Sequence, residues 1–337
     1  MEGKKEILSI ESLLIGYISG KMSKVLLPAL DAKAYHGELI AMIGQNGIGK
    51  STLLRTITGL QVAIGGTIII DGKPINSYSR SDFARHIGYI STEQVKVNNM
   101  KVYDLVALGR FPHTDWLGKL TDIDHAVIMD AIGKVGMQSY INNYVTELSD
   151  GERQRAMIAR VLAQDTDLLV MDEPTAFLDI KNKYEIVHLL HDLSKKRGKT
   201  IIFSTHDLNI ALSEADKIWL ILKDSFEEGS PEDLIIGGAL DQLFKDSLVR
   251  FNKTDGSFAF RNVFRGNFNL KGEGICRLWT EKALNRIGYS ISENNEGLKI
   301  EVINQDGRPM WLVWNKEEKI EFSTIYDLIS WLSIQEE

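Results

Sequence analysis

Nine consecutive residues have the types and spacing of a phosphate-binding loop. They fit the pattern of a glycine, four free positions and then Gly-Lys-Ser/Thr, in which backbone N–H groups converge on an anion. In such a loop the lysine contacts the β- and γ-phosphates and the next hydroxyl can ligate Mg²⁺. These roles fall to Lys50 and Ser51. The nine residues are Gly44, Gln45, Asn46, Gly47, Ile48, Gly49, Lys50, Ser51 and Thr52.

Two acidic residues directly follow a short apolar run. Residues 168–171 have the bare apolar character of a strand covered on both faces, and Asp172 and Glu173 stand at its end. Carboxylates are rarely buried at the end of a sheet unless they pair with a cation or have a function. We therefore expect Asp172 to hold Mg²⁺, directly or through water, and Glu173 to act as general base on an attacking water. The alternative is a pair of helix-capping acids before Pro174.

Two more positions point to phosphate chemistry. His206 follows an apolar run at 200–204, so it should emerge at the same sheet edge as Glu173, where a neutral imidazole could contact the γ-phosphate. Ser149 is a plausible N-cap of a helix that continues through Ile158 and Val161, and the free N–H groups after it form a second anion site. Since one loop needs only one cradle, the second site suggests another nucleotide across a dimer interface.

The surrounding pattern supplies the elements that position these residues. Apolar residues 39–43 predict a buried strand before the loop, and Leu53, Leu54 and Ile57 fall at helical spacing after it. Antiparallel strands are predicted around this core, helices without strands over 101–147, and alternating strands and helices from 168 onward. The predicted fold class is α/β: a phosphate-loop NTPase core with a mostly parallel sheet, an antiparallel subdomain and an inserted helical subdomain.

Bulk properties narrow the class of protein. The 337 residues suggest two domains, and the net charge of −7 gives no basic field that would favour nucleic acid. No apolar run approaches the ~18 residues of a membrane span, and the charged N-terminus lacks the apolar core of a secretory signal. The single cysteine, Cys276, suits a reducing compartment. We therefore expect a cytosolic protein.

The C-terminal part of the chain has a different character. Residues 250–337 alternate like strands in several places and contain two amphipathic helical stretches, the second formed by Ile325, Leu328, Ile329 and Leu332. The pattern predicts a small α+β domain large enough for its own core. The sequence does not indicate its function.

The combined motifs resemble the ATP-binding cassette (ABC) family over about residues 1–246. The motifs are the loop at 44–52, the segment at 148–154, the segment at 171–179 and His206. The resemblance implies an ATPase that uses ATP and Mg²⁺. For Tyr17 it implies stacking on adenine, and a core tyrosine is the alternative. The other implied roles are Lys50 and Ser51 in Walker A, Asp172 in Walker B, Glu173 as the hydrolytic glutamate, Asp179 in the D-loop and His206 as the switch histidine.

The resemblance also implies contacts with the ATP of a partner subunit. These fall to Ser149, Gly151 and Glu152 of the signature and to Asp179. The chain departs from the family at Asp150, where glycine is usual, because a carboxylate there should repel a triphosphate unless it points away or meets a cation. A second departure lies in the Q-loop, where either Glu93 or Gln94 could fill the metal-contacting position.

The segment at 104–113 is similar to cassettes of importers for iron–siderophore chelates, haem and cobalamin. The resemblance implies the ATPase subunit of such an importer, peripheral on the inner face of the membrane. It implies a head-to-tail homodimer that works with integral membrane permease subunits and, indirectly, with a substrate-binding protein, without nucleic acid. The expected domains are residues 1–249, with a helical subdomain at about 101–160, and residues 250–337.

Two other functions remain open from the sequence. One is a soluble cassette ATPase that is not tied to transport. The other is a regulatory binding module in which residues 250–337 sense a ligand and ATP serves as a structural clamp.

Overall fold

A computed structural model describes residues 5–20, 22–92, 99–245, 247–253, 256–260, 264–292, 298–305, 307–315 and 318–334. The chain folds into two compact units, Met1–Leu243 and Phe244–Glu337. The domain boundary expected at 249/250 stays a prediction. Among the described residues, no helix combines the length and apolar character needed to cross a bilayer.

The first unit contains strands and helices that alternate along most of its length. Its strands are β1 (Glu6–Leu14), β2 (Gly16–Ser19), β3 (Met22–Val25), β4 (Leu30–Tyr35), β5 (Leu39–Gly44), β6 (Gly65–Ile70), β7 (Lys73–Pro74), β8 (Ile87–Ile90), β9 (Leu168–Met171), β10 (Thr200–Ser204), β11 (Lys217–Ile221) and β12 (Phe226–Gly229). Its α-helices are α1 (Lys50–Ile57), α2 (Arg80–Phe83), α3 (Val102–Ala107), α4 (Asp122–Lys134), α5 (Asp150–Ala163), α6 (Ile180–Arg197), α7 (Leu208–Glu214) and α8 (Pro231–Ile236). Short 3-10 segments include Leu108–His113 and Ala239–Phe244.

A mostly parallel sheet forms the centre of this unit. Its strand order is β12-β11-β5-β10-β9-β8, and β12 pairs antiparallel at one edge. Strands β5, β9 and β10 are buried along their whole length, as their uninterrupted apolar sequences require. Phe203 pairs with Met171, and Ser204 pairs with Met42. The carboxyl ends of these three strands therefore lie at one edge of the sheet, which confirms the predicted phosphate-loop core.

An antiparallel sheet packs against the parallel one. Its order is β4-β1-β6-β7, and β2 and β3 form a separate hairpin. Ile10 of β1, Met42 of β5, Leu53 of α1 and Trp219 of β11 belong to one buried apolar cluster. Helix α1 is therefore enclosed by apolar contacts from both sheets, which keep the loop before it in place.

The inserted helical part lies between β8 and β9 and contains α3, α4 and α5, which contact one another. A buried ion pair joins Arg110 Nε to Asp124 Oδ1 at 2.8 Å, and Arg110 Nη1 donates to the Ala163 carbonyl at 2.9 Å. Hydrogen bonds from Thr121, together with the Arg110 guanidinium, lower the pKa of Asp124 to about 2. Arg110, in the segment that resembles chelate importers, thus fixes this segment to α4 and α5.

The second unit is a small α+β fold with its own core. Its elements are β13 (Val249–Phe251), β14 (Phe258–Phe260), β15 (Gly266–Lys271), α9 (Gly274–Arg286), β16 (Tyr289–Ile291), β17 (Leu298–Gln305), β18 (Arg308–Asn315), β19 (Glu318–Phe322) and α10 (Ile325–Ile334). The main sheet has the order β16-β15-β17-β18-β19. Phe268, Leu284, Ile300 and Leu328 bring the sheet and both helices into one apolar cluster. Cys276 lies half-buried at the margin of this cluster.

Candidate nucleotide site

The loop between β5 and α1 has the backbone of an anion cradle. Gly47 and Gly49 have φ angles of 74° and 120°, a region that residues with a Cβ rarely adopt. The first turn of α1 has no acidic residue, and Gly49 offers no side chain to cap it. The first N–H groups of the helix are thus left without a side-chain acceptor, and the helix dipole adds positive potential. This helix start fits a phosphate group.

Lys50 places its cation inside this cradle. Its Nζ donates to the carbonyl oxygens of Gly44 at 2.8 Å and Gln45 at 3.1 Å. Burial lowers the pKa of Lys50, and the nearby carboxylates of Glu173 and Asp172 oppose that shift. The ammonium is held by neutral carbonyls within electrostatic reach of both acids, so it can move onto phosphate oxygens without leaving a buried partner charge unpaired.

The acids after β9 are tied to the end of β10 by one hydroxyl. Ser204 Oγ donates to Asp172 Oδ1 at 2.7 Å and accepts from the backbone N–H of Glu173 at 2.8 Å. Thr92 Oγ1 donates to the Asp172 carbonyl at 3.1 Å. Sequence analysis missed Ser204, although the pairing of parallel strands that end together could have placed it beside Asp172. The bond orients Asp172, whose side chain is almost fully buried.

Glu173 and His206, the predicted catalytic residues, lie side by side at this edge. Glu173 Oε1 and His206 Nε2 are in short hydrogen-bond contact, as their predicted emergence at one sheet edge required. Glu173 has a φ of 51°, a strained conformation that is common at functional sites. His206 thus restrains a carboxylate that could activate a water beside the cradle.

The start of α5 is occupied by its own side chains. Ser149 Oγ accepts from the N–H of Glu152 at 3.4 Å, and a Glu152 carboxylate oxygen accepts from the N–H and hydroxyl of Ser149 at 2.8 Å each. This is a complete capping box. Hydrogen bonds from the Tyr140 hydroxyl and from Ser149 lower the pKa of Glu152, so the carboxylate is charged at neutral pH.

Asp150, the departure from the family pattern, meets a cation. Its carboxylate pairs with Arg153 Nη1 at 2.9 Å, one helical turn further along α5. This contact reduces the expected repulsion between Asp150 and a triphosphate, because Arg153 balances the carboxylate charge. Arg153, which the sequence analysis did not single out, could have been found from its i, i+3 spacing to Asp150.

Gly151 brings α5 close to the start of α6. A Cβ at Gly151 would lie 2.8 Å from Asn182 Oδ1. Asn182 in turn donates through its N–H and side-chain amide to the Asp179 carboxylate, at 2.8 and 3.2 Å. Gly151 and Asp179, predicted to face the nucleotide of a partner subunit, are thus connected through Asn182. Their role toward that nucleotide stays a prediction.

Tyr17 lies on the β2–β3 hairpin beside α1. The residue is 56% exposed, which rules out the alternative of a core tyrosine. The Tyr17 hydroxyl is 3.3 Å from Thr52 Oγ1 in the first turn of α1. An exposed aromatic face near the phosphate cradle is suited to stacking on a base. The Q-loop candidates Glu93 and Gln94 lie outside the described residues.

The donor set around the cradle fits a nucleotide with a hard divalent cation. The Ser51 hydroxyl and the Asp172 carboxylate are oxygen ligands of the kind that Mg²⁺ prefers beside phosphates. The orphan N–H groups of α1 and the Lys50 ammonium match a polyphosphate. The structure brings together Lys50, Asp172, Glu173 and His206 from the three segments that follow β5, β9 and β10 of the parallel sheet.

Two parts of the chain match known families. Residues 27–176 match the family described as ABC transporter, and residues 265–333 match the iron ABC transporter C-terminal domain. An uncharacterised ABC transporter ATP-binding protein of Methanocaldococcus jannaschii is 35% identical over 257 residues, which cover 76% of this chain and 87% of that protein. The iron(3+)-hydroxamate import ATP-binding protein FhuC of Bacillus subtilis is 35% identical, covering 71% and 87%.

Solved structures are similar over a comparable share of the chain. One is a transporter described as of the metal-chelate type, in an inward-facing conformation. It is 29% identical with a TM-score of 0.63, covering 76% of this chain and 96% of that chain. Another, cbiO1 from Clostridium perfringens, is 28% identical with a TM-score of 0.61, covering 70% and 93%. By these relatives and by the geometry of its phosphate cradle, the chain belongs to the ABC transporter family as an ATP-binding protein with ATPase activity.

Proposed function

We propose that this chain is the ATPase subunit of an importer for iron–siderophore-type metal chelates. The observation that carries the cargo class is that separate parts of the chain point to iron. Relatives of the cassette are named for iron(3+)-hydroxamate import, petrobactin import and ferric enterobactin transport, and residues 265–333 match an iron ABC transporter C-terminal domain. Haem and cobalamin are related chelates that the same subfamily resemblance allows.

The residues of the cradle support a division of labour in hydrolysis. The N–H groups of α1 and Lys50 bind and orient the phosphates, while Tyr17 stacks on adenine. Ser51 and Asp172 would hold Mg²⁺, with Glu93 or Gln94 as a further ligand, and the metal supplies charge stabilisation on the transferred phosphoryl group. Glu173, held by His206 and by the Ser204 hydroxyl at its N–H, orients the attacking water and accepts its proton.

A head-to-tail homodimer would complete each site. A triphosphate bound in the cradle at α1 would have its far side free to meet another anion-binding surface. The start of α5, with Ser149, Gly151 and Glu152, and the D-loop residue Asp179 are the candidates from the partner subunit. Closure on ATP and reopening after hydrolysis would then give the movement that drives a transporter.

A groove in the first unit is the candidate docking site for a cytoplasmic segment of the permease. It has a volume of about 660 Å³ and lies between the end of α1, α2 and the 3-10 segment Leu108–His113. Leu60 and Phe111 line it and are 65% and 71% exposed. Arg160 and Arg80 also line it, and its described lining contains no acidic residue, so it suits an apolar segment that carries negative charge. Docking there would hold the chain at the inner face of the membrane, with a substrate-binding protein reached only through the permease.

The test of the importer is co-purification followed by uptake. The tagged chain is recovered from gently solubilised native membranes, and its partners are identified. We expect a multi-span permease, and cells in which the chain carries Glu173→Gln should lose uptake of ⁵⁵Fe-labelled hydroxamate or catecholate chelates. Recovery from the soluble fraction alone, or uptake unaffected by Glu173→Gln, would refute the importer.

Docking in the groove has its own test. Phe111→Asp places a charge in the apolar part of the groove, and Ile123→Asp places one at another exposed apolar position of the helical part. We expect the Phe111 variant to lose the permease in co-purification and keep basal ATPase activity. Equal retention of the permease by both variants would move the docking site elsewhere.

A further inference from the structure

Helix α1 is connected to the β2 strand at two points, one near each end of the helix. Near its start, Thr52 Oγ1 lies 3.3 Å from the Tyr17 hydroxyl. Four residues beyond its end, Gln61 Nε2 donates to the carbonyl oxygen of Gly16 at 2.6 Å. The Gln61 backbone is also hydrogen-bonded to the helix, because its N–H donates to the Arg55 carbonyl at 3.1 Å. The element that carries the phosphate cradle therefore also holds the strand that carries Tyr17.

The surroundings of Gly16 leave little freedom for this strand. A Cβ at Gly16 would lie 2.0 Å from the Lys24 carbonyl oxygen and 2.7 Å from Ile64 Cδ1. The hairpin partner and the segment after α1 thus press on Gly16 from two sides. The Tyr17 side chain, one residue on, is more than half exposed, and its hydroxyl lies close to the Thr52 hydroxyl. Its position depends mainly on where the Gly16 backbone is held.

We propose that Gln61 is a positioning residue for the nucleobase. By holding the Gly16 carbonyl against the segment after α1, it fixes the height of the Tyr17 ring relative to the phosphate cradle. This inference rests on the proposed role of Tyr17 in stacking on adenine. Stacking requires a defined distance and offset between two rings, so a looser strand weakens binding of the base and leaves binding of the phosphates as it was.

The experiment compares ATP with a ligand that has phosphates and no base. In the purified full-length chain, Gln61→Ala and Gln61→Met are assayed for kcat, for KM with ATP and for the inhibition constant of inorganic tripolyphosphate. We expect both variants to raise KM about threefold, the size expected for one net hydrogen bond, with kcat and the tripolyphosphate constant unchanged. Gln61→Met keeps the length of the side chain and loses the donor, which separates the bond from packing.

Two controls define the outcome. Gln138→Ala removes a side chain whose Nε2 also donates to a glycine carbonyl, that of Gly133 at 3.5 Å, in the helical part of the unit, and it should change nothing. In a Tyr17→Ala background, Gln61→Ala should have no further effect on KM. An additional effect there, an equal loss of tripolyphosphate binding, or an unchanged KM in the Gln61 variants would overturn the inference. If Tyr17→Ala itself left KM unchanged, the proposed stacking role of Tyr17 would fail instead.

Discussion

Two helix starts in this chain are candidates for phosphate contact, and they are built in opposite ways. The start of α1 has no side-chain cap and no acid in its first turn, and it has a buried lysine beside it. The start of α5 is closed by the Ser149–Glu152 box and has two acids in its first turn. Both have the N–H groups and dipole of a helix start, and their side chains determine what each can bind.

The difference indicates an order of events. The N–H groups of α1 need no rearrangement before a phosphate binds, so this site can bind a nucleotide from solution. The acids of α5 stabilise their own helix through the dipole and disfavour a free anion there. The α5 start should therefore bind phosphate only when a partner subunit presents it in place. Five predictions follow from this contrast, beginning with the largest effect.

The cations beside the two helix starts should contribute unequally to turnover. Lys50→Met removes the charge inside the open cradle, and Arg153→Met removes the one that balances Asp150 at the closed start. We expect the first to lower kcat about 10²- to 10³-fold and the second less than tenfold, because Arg153 acts through an exposed ion pair. Steady-state ATP hydrolysis gives both values. Equal losses would mean that both starts contact phosphate directly and equally.

The start of α4 shows how much a buried capping box should contribute to the free energy of unfolding. Thr121 and Asp124 form the same type of box, with Arg110 added. Asp124→Asn should cost about 3–5 kcal/mol in the free energy of unfolding at pH 7, since it leaves Arg110 buried without its partner charge. Urea unfolding measures this cost, with exposed Asp122→Asn as control. A cost below ~1 kcal/mol would contradict it.

The same pair predicts a pH dependence. The pKa of Asp124 is depressed in the folded state, from 3.8 to about 2, so its stabilisation is complete above pH 3.8. This stabilisation is lost as the pH falls from 3.8 to about 2, because the carboxylate of the unfolded chain binds a proton more readily than that of the folded protein. The wild type should lose this increment on acidification, and Asp124→Asn should not. If the free energy of unfolding of both proteins decreased equally between pH 4 and about 2, the low pKa assigned to Asp124 would be wrong.

The contact between α5 and α6 should have an intermediate effect. Gly151→Ala pushes against Asn182, which the Asp179 carboxylate holds in place. We expect about a tenfold loss of turnover with little change in unfolding, because the displaced groups lie at the surface predicted to face the partner. Gly133→Ala in α4 is the matched control, since its new Cβ would meet only Gln138 Nε2 at an ordinary 3.4 Å. Similar activities for the two variants would remove Gly151 from the site.

The smallest change should make the two starts more alike. Glu152→Gln can keep the capping box and removes one negative charge from the start of α5. In a Glu173→Gln background, in which loss of the proposed general base should leave bound ATP intact, we expect ATP-dependent dimers to form about two- to threefold more tightly, measured by sedimentation. Unfolding should become easier by ~0.5 kcal/mol through the dipole. Weaker dimers would indicate that the Glu152 carboxylate itself contacts the partner.

Sequence reasoning reached the parts that depend on strand pattern and local spacing. Residues 168–171 and 200–204 were predicted as buried strands with the observed bounds, so the meeting of Glu173 and His206 followed from topology. It did not reach contacts that depend on register between distant segments, such as Ser204 with Asp172 or Gly151 with Asn182. The positive φ of Glu173 was also beyond it, because nothing in a glutamate predicts left-handed backbone.

Helix α5 has a consequence for exchange of parts between related cassettes. Its first residues carry the signature, while near its end Arg160 donates to the Tyr89 carbonyl and Gln164 to the carbonyls of Ala84 and Ile87, beside the proposed docking groove. Fourteen helical residues, about 21 Å, separate the two functions without a break. A chimera that replaced only the signature would combine the first residues of α5 from one protein with the groove-facing end of α5 from another. We therefore expect a functional chimera to require exchange of the whole helix.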